Sequence, residues 1–119
     1  MASRIDLLAW LLDSDPAIRW QVERDLVNEA PTVWAATRAS IATKGFGARL
    51  LSLQDRDGQW AGGAFFPAEF DFVGPEAAEE GSQPWTATTW TLNSLREWGL
   101  DASVLRERRT AELLAENCR

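Results

Sequence analysis

The sequence predicts an all-α protein. Apolar residues recur at intervals of three and four over much of the chain, which is the period of an amphipathic helix. Residues that favour helix starts precede several of these segments. No stretch shows the alternation of apolar and polar residues that is typical of a strand. With 119 residues, 45% of them apolar, the chain is long enough for one domain with its own core.

Two short helices are predicted at the start of the chain. Ser3 can cap a segment whose apolar residues share one helical face, and this segment ends at Asp13. Asp15 followed by Pro16 predicts a second helix, because Asp caps the first amides and Pro is favoured at the first helical position. Pro31 ends this helix, since the residue before a proline avoids helical backbone angles.

Four further helices are predicted along the rest of the chain. The third covers about 32–43, a break follows at 44–47, and the fourth covers 48–54. A fifth helix over 85–98 is opened by Pro84 and closed by Gly99. A single sixth helix begins at Asp101 and continues past Leu114. We therefore expect one all-α domain over 1–119, with N-terminal helices in 1–54 and a C-terminal helix pair in 85–119.

The connecting stretch 55–84 has a different composition. It opens with turn residues and continues over 64–83 with acidic residues and four phenylalanines, Phe65, Phe66, Phe70 and Phe72. A connection of this length in a compact domain is usually functional or disordered, and disordered tracts are poor in aromatic residues. We expect a ligand-binding loop over 64–83 that is the most mobile part of the free protein and becomes ordered when ligand binds.

Charge and composition exclude several classes of protein. The net charge of −6 disfavours nucleic acid as a partner, because the chain repels phosphate backbones. The sequence contains no histidine and one cysteine, Cys118, which excludes His-dependent nucleophiles and Cys- or His-rich metal sites. No apolar run approaches the roughly 18 residues of a membrane span, and no signal-peptide core follows Met1. We expect a cytoplasmic protein with no membrane span.

The sequence has seven tryptophans and no tyrosine. Three tryptophans on the predicted N-terminal helices are expected to pack between helices: Trp10, Trp20 and Trp34. Trp85 and Trp90 lie five residues apart, so on one helix their rings would diverge by about 140°. Threonines, Thr89 among them, surround these two rings, and the mixture of apolar rings and hydroxyl groups is typical of a ligand pocket.

One spacing resembles a known family. Leu50, Gln54, Gly58 and Trp60 form the pattern L-x-x-x-Q-x-x-x-G-x-W, which is similar to the QW repeat of squalene cyclases, terpene cyclases and related prenyltransferases. Arg49 departs from the family, which usually has an aromatic residue there. The resemblance covers 44–100. It implies stacked helical hairpins that form part of an α/α toroid, of which this chain would be a short or truncated member.

The three motif residues also have a physical role. The Gln54 amide can satisfy polar groups at a neighbouring helix terminus. Gly58 permits a tight turn, and Trp60 can cover the Gln54 amide and close the corner. We therefore expect all three residues to be structural rather than catalytic.

Binding is expected rather than catalysis. The Asp-rich run with which squalene-hopene cyclases protonate an alkene is absent, and so are the Asp, Cys and His zinc ligands of protein prenyltransferases. The sequence thus predicts no catalytic residue, no metal site and no cofactor. One alternative is a reduced terpene-cyclase-like enzyme in which Glu69 or Asp71, desolvated by the phenylalanines, acts as the acid. Turnover of a polyprenyl substrate that is lost in Asp71→Asn would favour it.

A second alternative is a protein-interaction module, because 15–26 resembles a HEAT-type repeat helix. Loss of partner binding in Phe70→Ala would favour that function. The main prediction is the binding of a hydrophobic or aromatic small molecule by the loop and the fifth helix, through Phe65, Phe66, Phe70, Phe72, Trp85, Thr89 and Trp90. A homodimer is also expected, since an open stack of hairpins leaves apolar terminal faces that a second copy can cover.

Overall fold

The computed structural model describes residues 3–74 and 85–118, and helices are the only regular secondary structure within these ranges. The prediction of an all-α protein is confirmed. The chain divides into two compact units, which we name the N-terminal unit (Met1–Leu51 with Arg96–Asp101) and the corner unit (Ser52–Leu95 with Ala102–Arg119). The single domain over 1–119 and the likeness to a toroid stay predictions.

The N-terminal unit is built around its second helix. Its elements are α1 (Arg4–Leu12), α2 (Pro16–Asp25), α3 (Pro31–Ala39), a 3-10 turn (Ser40–Ala42) and most of α4 (Gly45–Ser52). The α2 helix contacts α1, α3 and the 3-10 turn. The buried apolar residues of this unit are Ala17, Trp20, Val22, Ile41 and Leu51.

The first two helices start where the sequence predicts. The Ser3 hydroxyl accepts a hydrogen bond from the Asp6 amide (3.1 Å), and the Asp6 carboxylate accepts one from the Ser3 amide (3.2 Å). Asp15 Oδ2 accepts from the Ala17 amide at 3.0 Å, with proline in the first turn of α2. The α2 helix ends earlier than predicted, at Asp25, and Asn28 in the connection has a φ of 51°.

The break predicted at 44–47 is shorter and begins one residue earlier: Thr43 and Lys44 separate the 3-10 turn from α4, which already begins at Gly45. The reason is a cap from a distant part of the chain: Asp15 Oδ1 accepts a hydrogen bond from the Phe46 amide at 2.8 Å. Gly45 has a φ of +67°, and a Cβ atom there would collide with the Asp15 carboxylate. Glycine at this position therefore allows the carboxylate to approach the helix start.

The corner unit contains the start of α5 (Thr88–Trp98), and α6 (Ala102–Glu107) and α7 (Thr110–Asn117). The α5 helix begins later than predicted, at Thr88, and the proposed start at Pro84 lies outside the described residues. Its first amides are satisfied from the preceding loop: the Thr88 amide donates to the Gly63 carbonyl (3.0 Å) and the Thr89 amide to the Ala64 carbonyl (2.9 Å).

The single C-terminal helix of the prediction is two helices. Arg109 separates α6 from α7 with a φ of 55°, a left-handed conformation that interrupts a right-handed helix. Thr110, the first residue of α7, is buried. Within the residues that the structure describes, no helix is long and apolar enough to cross a membrane.

Candidate functional site

The turn after α4 is linked to the start of α7 by Gln54. Its Nε2 atom donates to the Gly58 carbonyl (3.1 Å) and to Thr110 Oγ1 (3.0 Å), and Arg108 Nη1 donates to its Oε1 (3.3 Å). Gly58 has a φ of +88°, and a Cβ atom there would collide with the Leu113 side chain. Gln54 and Gly58 thus lie at one tight corner between the turn and α7.

Trp60 is the most buried aromatic residue of this corner, with 1% of its surface exposed. Its amide donates to Thr88 Oγ1 at 2.9 Å, which ties the corner to the start of α5. Gln59 is equally buried, and its Nε2 donates to Asp57 Oδ2 (2.9 Å) and to the Asn117 carbonyl (3.3 Å). Gln59 was missed by sequence reasoning because the motif does not include this position.

Three of the four predicted phenylalanines pack on one another. The ring centroids of Phe66, Phe70 and Phe72 lie 4.9–5.0 Å apart in tilted and edge-to-face arrangements. Phe66 and Phe72 nevertheless remain 42% and 64% exposed. Phe65 is separate from this cluster and is exposed as well, and its carbonyl accepts a hydrogen bond from Trp90 Nε1 at 3.0 Å.

Trp85 and Trp90 lie together. Their ring centroids are 5.3 Å apart and their planes meet at 84°, so the predicted divergence of these rings is wrong. The helical-wheel argument fails because Trp85 precedes α5. Trp85 is exposed, whereas Thr89 and Trp90 are half-buried. We name the two ring clusters and Phe65 together the aromatic surface: Phe65, Phe66, Phe70, Phe72, Trp85 and Trp90.

The two candidate acids are solvated. Glu69 and Asp71 are both exposed, so the expected desolvation by the phenylalanines does not occur. Asp71 Oδ1 accepts a hydrogen bond from the Val73 amide at 3.0 Å and so closes a local turn. The part of the predicted mobile loop after Gly74 lies outside the described residues, and its ordering by ligand stays a prediction.

The corner unit also contains an aliphatic cavity that sequence reasoning missed. Its volume is about 300 Å³. It lies among α5, α6 and α7 and is lined by Leu92, Ala102, Leu105, Arg106, Thr110, Ala111, Glu112 and Leu114. The leucine spacing predicted helices correctly, but the cavity arises only where the chain turns between α6 and α7.

In the N-terminal unit, the expected packing holds for Trp20 and Trp34, whose ring centroids are 6.1 Å apart. Trp20 is 6% exposed, and its Nε1 donates to the Trp98 carbonyl at 2.7 Å. Trp10 is 68% exposed, so the prediction that it packs between helices is wrong. None of the residues of α1 is buried.

Two arginines flank the Trp20 ring. Arg24 Cζ lies 4.4 Å from the ring centroid and Arg38 Cζ lies 5.4 Å from it, within the range of cation–π attraction. Arg38 Nε donates to the Gly99 carbonyl at 2.7 Å. Arg24 donates two hydrogen bonds to the Asp25 carboxylate. The side-chain hydrogen bond from Arg24 lowers the pKa of Asp25, and the pair raises the pKa of Arg24.

In the described parts of the chain, no three His, Cys, Asp or Glu side chains lie close enough together to hold a metal ion. Cys118 is exposed and forms no disulfide. Comparison with family models, with curated proteins and with solved structures finds no match for this chain.

Proposed function

We propose that the protein binds a hydrophobic or aromatic small molecule at the aromatic surface. The proposal rests on one observation: the phenylalanine rings are held in place by contacts with one another and are still exposed to solvent. Phe66, Phe70 and Phe72 contact one another, yet two of them keep a large part of their surface in solvent. Contiguous exposed apolar surface on a water-soluble domain is typical of an interaction site.

The tryptophan pair supports the same proposal. Trp90 is oriented by its hydrogen bond to the Phe65 carbonyl, and Trp85 stands edge-to-face against it with 58% of its surface exposed. A fixed ring loses little conformational freedom when a ligand arrives, so the cost of binding is small. A planar aromatic molecule could pack on the exposed face of Trp85.

Binding is favoured over catalysis by the state of the acids. Glu69 and Asp71 are solvated, and Asp71 is engaged in a turn, so neither has the apolar surroundings that a general acid needs at neutral pH. The corner of Gln54, Gly58 and Trp60 supports the proposal that the chain is a short relative of the QW-repeat proteins. In that case the corner is the scaffold that presents the aromatic surface.

Titration with 2-naphthol in an isothermal titration calorimeter tests the proposed function. Trp85→Ala should weaken binding up to about tenfold, because an aromatic pair contributes about 0.5–1.5 kcal/mol beyond its buried area. Trp10→Ala is the matched control, since Trp10 is also exposed but belongs to the N-terminal unit. Equal affinity of wild type and Trp85→Ala would contradict the proposal.

We also propose that the protein is a homodimer. The exposed apolar residues of α1, Ile5, Leu7 and Trp10, support this, because a second copy could cover them with the same surface. An interface of about 1,600 Å² would outweigh the repulsion between two acidic chains at physiological salt. Light scattering at micromolar concentration should give twice the chain mass of 13.3 kDa, and the mass of a single chain would contradict the dimer.

A further inference from the structure

We propose that the aliphatic cavity is a second ligand site, which takes an uncharged aliphatic molecule with one oxygen acceptor, such as a fatty alcohol or an aliphatic ketone. This site is separate from the aromatic surface. Trp90 and Leu92 are two residues apart on α5, so their side chains leave the helix about 200° apart. Leu92 lines the cavity, whereas Trp90 contacts Trp85 and Phe65.

The residues that line the cavity favour a ligand whose apolar part is aliphatic. The apolar lining residues are three leucines and two alanines, from α5, α6 and α7, with no aromatic ring among them: Leu92, Leu105, Leu114, Ala102 and Ala111. A volume of about 300 Å³ is at the small end of ligand pockets, which suits an alkyl chain better than a polycyclic molecule.

The charges at the cavity select against a charged ligand. Arg106 and Glu112 contribute one positive and one negative group to the lining. Both are exposed, and neither forms an ion pair with another described residue. An ion of either sign would be attracted by one of these groups and repelled by the other, so neither sign is favoured. An uncharged molecule also avoids the cost of moving a charge from water into an apolar cavity.

The polar specificity comes from Thr110. This residue lines the cavity and is only 4% exposed. Its hydroxyl group has one hydrogen to donate, while its oxygen already accepts the hydrogen bond from Gln54 Nε2. No described group accepts the hydroxyl hydrogen. A buried donor without an acceptor is costly, and the oxygen of a ligand in the cavity would satisfy it.

Gln54 determines the direction of this hydrogen bond and is a positioning residue. Arg108 donates to its Oε1, and its Nε2 donates to the Gly58 carbonyl. These two contacts fix which end of the amide faces Thr110, because the reversed amide would place donor against donor and acceptor against acceptor. Thr110 must therefore accept from Gln54, and its hydrogen is left for the ligand.

The first experiment compares three probes with the same alkyl chain at pH 7: 1-octanol, octanoate and octylammonium. Binding is measured from amide shifts in nuclear magnetic resonance spectra, which also locate the probe near Leu92 and Thr110. We expect 1-octanol to bind at least about tenfold more tightly than either ion, which corresponds to about 1.4 kcal/mol. Equal or tighter binding of octanoate or octylammonium would overturn the proposal.

The second experiment tests the hydroxyl donor. Thr110→Val keeps the shape of the side chain but removes the donor, and it should weaken 1-octanol binding about five- to tenfold. Thr110→Ser keeps the hydroxyl group and should bind 1-octanol like the wild type. Unchanged affinity in a folded Thr110→Val variant, or loss of affinity in a folded Thr110→Ser variant, would overturn the role of Thr110.

The third experiment reverses the hydrogen bond. In Gln54→Glu the new carboxylate can still accept a hydrogen bond from Arg108. It would also accept the hydrogen bond that the Thr110 hydroxyl otherwise donates to the ligand. Affinity for 1-octanol should fall to the level of Thr110→Val in a variant that circular dichroism shows to be folded. A Gln54→Glu variant that binds 1-octanol like the wild type would overturn the positioning role. Because the two sites use different probes, this proposal and the proposed function can fail independently.

Discussion

The N-terminal unit and the corner unit each bury one tryptophan, but they hold it in different ways. Trp20 is held through its side chain, by a hydrogen bond from Nε1 and by two arginines over its ring. At Trp60 the backbone takes part as well, because its amide donates a hydrogen bond to the Thr88 hydroxyl. The contact from Trp20 Nε1 needs an indole side chain, whereas the contact from the Trp60 amide does not depend on the side chain.

This difference determines which substitutions each unit should tolerate. At Trp20, substitution by a ring without a nitrogen leaves the Trp98 carbonyl without its hydrogen-bond donor. At Trp60 the hydrogen bond from the amide survives any substitution except proline, whereas a substitution by alanine removes a ring that is almost fully buried. The predictions below test this distinction, beginning with the largest expected effect.

Trp60→Ala should destabilise the protein by about 3–5 kcal/mol, the usual range for removing a packed aromatic side chain. The reason is the nearly complete burial of the ring at the corner. Urea denaturation followed by circular dichroism measures the free energy of unfolding. Trp85→Ala is the control and should change it far less, because Trp85 is exposed. A Trp60→Ala variant as stable as the wild type would show that the ring contributes little to the corner.

Trp20→Phe should destabilise the protein by about 1–3 kcal/mol, because the Trp98 carbonyl loses the donor that Nε1 supplies. The matched control is Trp85→Phe, at an exposed tryptophan of the corner unit, for which we expect a change within about 0.5 kcal/mol. If both substitutions had the same effect, the hydrogen bond to the Trp98 carbonyl would not contribute to stability.

The smallest effect concerns the arginine over the Trp20 ring. Asp25 holds Arg24, and the lowered pKa of Asp25 means that this pair favours the folded state when the carboxylate is charged. The contribution is present above the ordinary pKa of 3.8 and is lost as the pH falls through the lowered folded value. Asp25→Asn should therefore be less stable than wild type at pH 7, and the difference should decrease as the pH falls below 3.8. A difference that does not change with pH would have another cause.

Local signals were enough to predict the starts of the first two helices. Ser3 and Asp15 cap helices through contacts two or three residues away, so the sequence pattern contains the whole interaction. The start of α4 could not be predicted in this way, because its cap comes from Asp15, far away in the sequence. Next to the interruption at Arg109, the Thr110 hydroxyl accepts a hydrogen bond from Gln54, another distant contact that the local pattern does not contain.

The same distinction between local and distant contacts applies to the candidate site. The phenylalanine cluster was predictable from the density of rings in a short loop. The contact between Trp85 and Trp90 was not, because the Gly63 and Ala64 carbonyls start α5 at Thr88. The aliphatic cavity required three helices to be in place, and no single segment of the sequence indicates it.

The two bonds of the Asp15 carboxylate have a consequence for the order of folding. The bond to Ala17 closes a short loop, whereas the bond to Phe46 joins residues 31 positions apart. Because the entropy lost on closing a loop increases with its length, the bond to Phe46 should form later, after the intervening helices have packed. One carboxylate therefore makes the start of α4 conditional on the assembly of α2 and α3. Local opening of those helices would be transmitted to α4, so this part of the N-terminal unit should fold and unfold cooperatively.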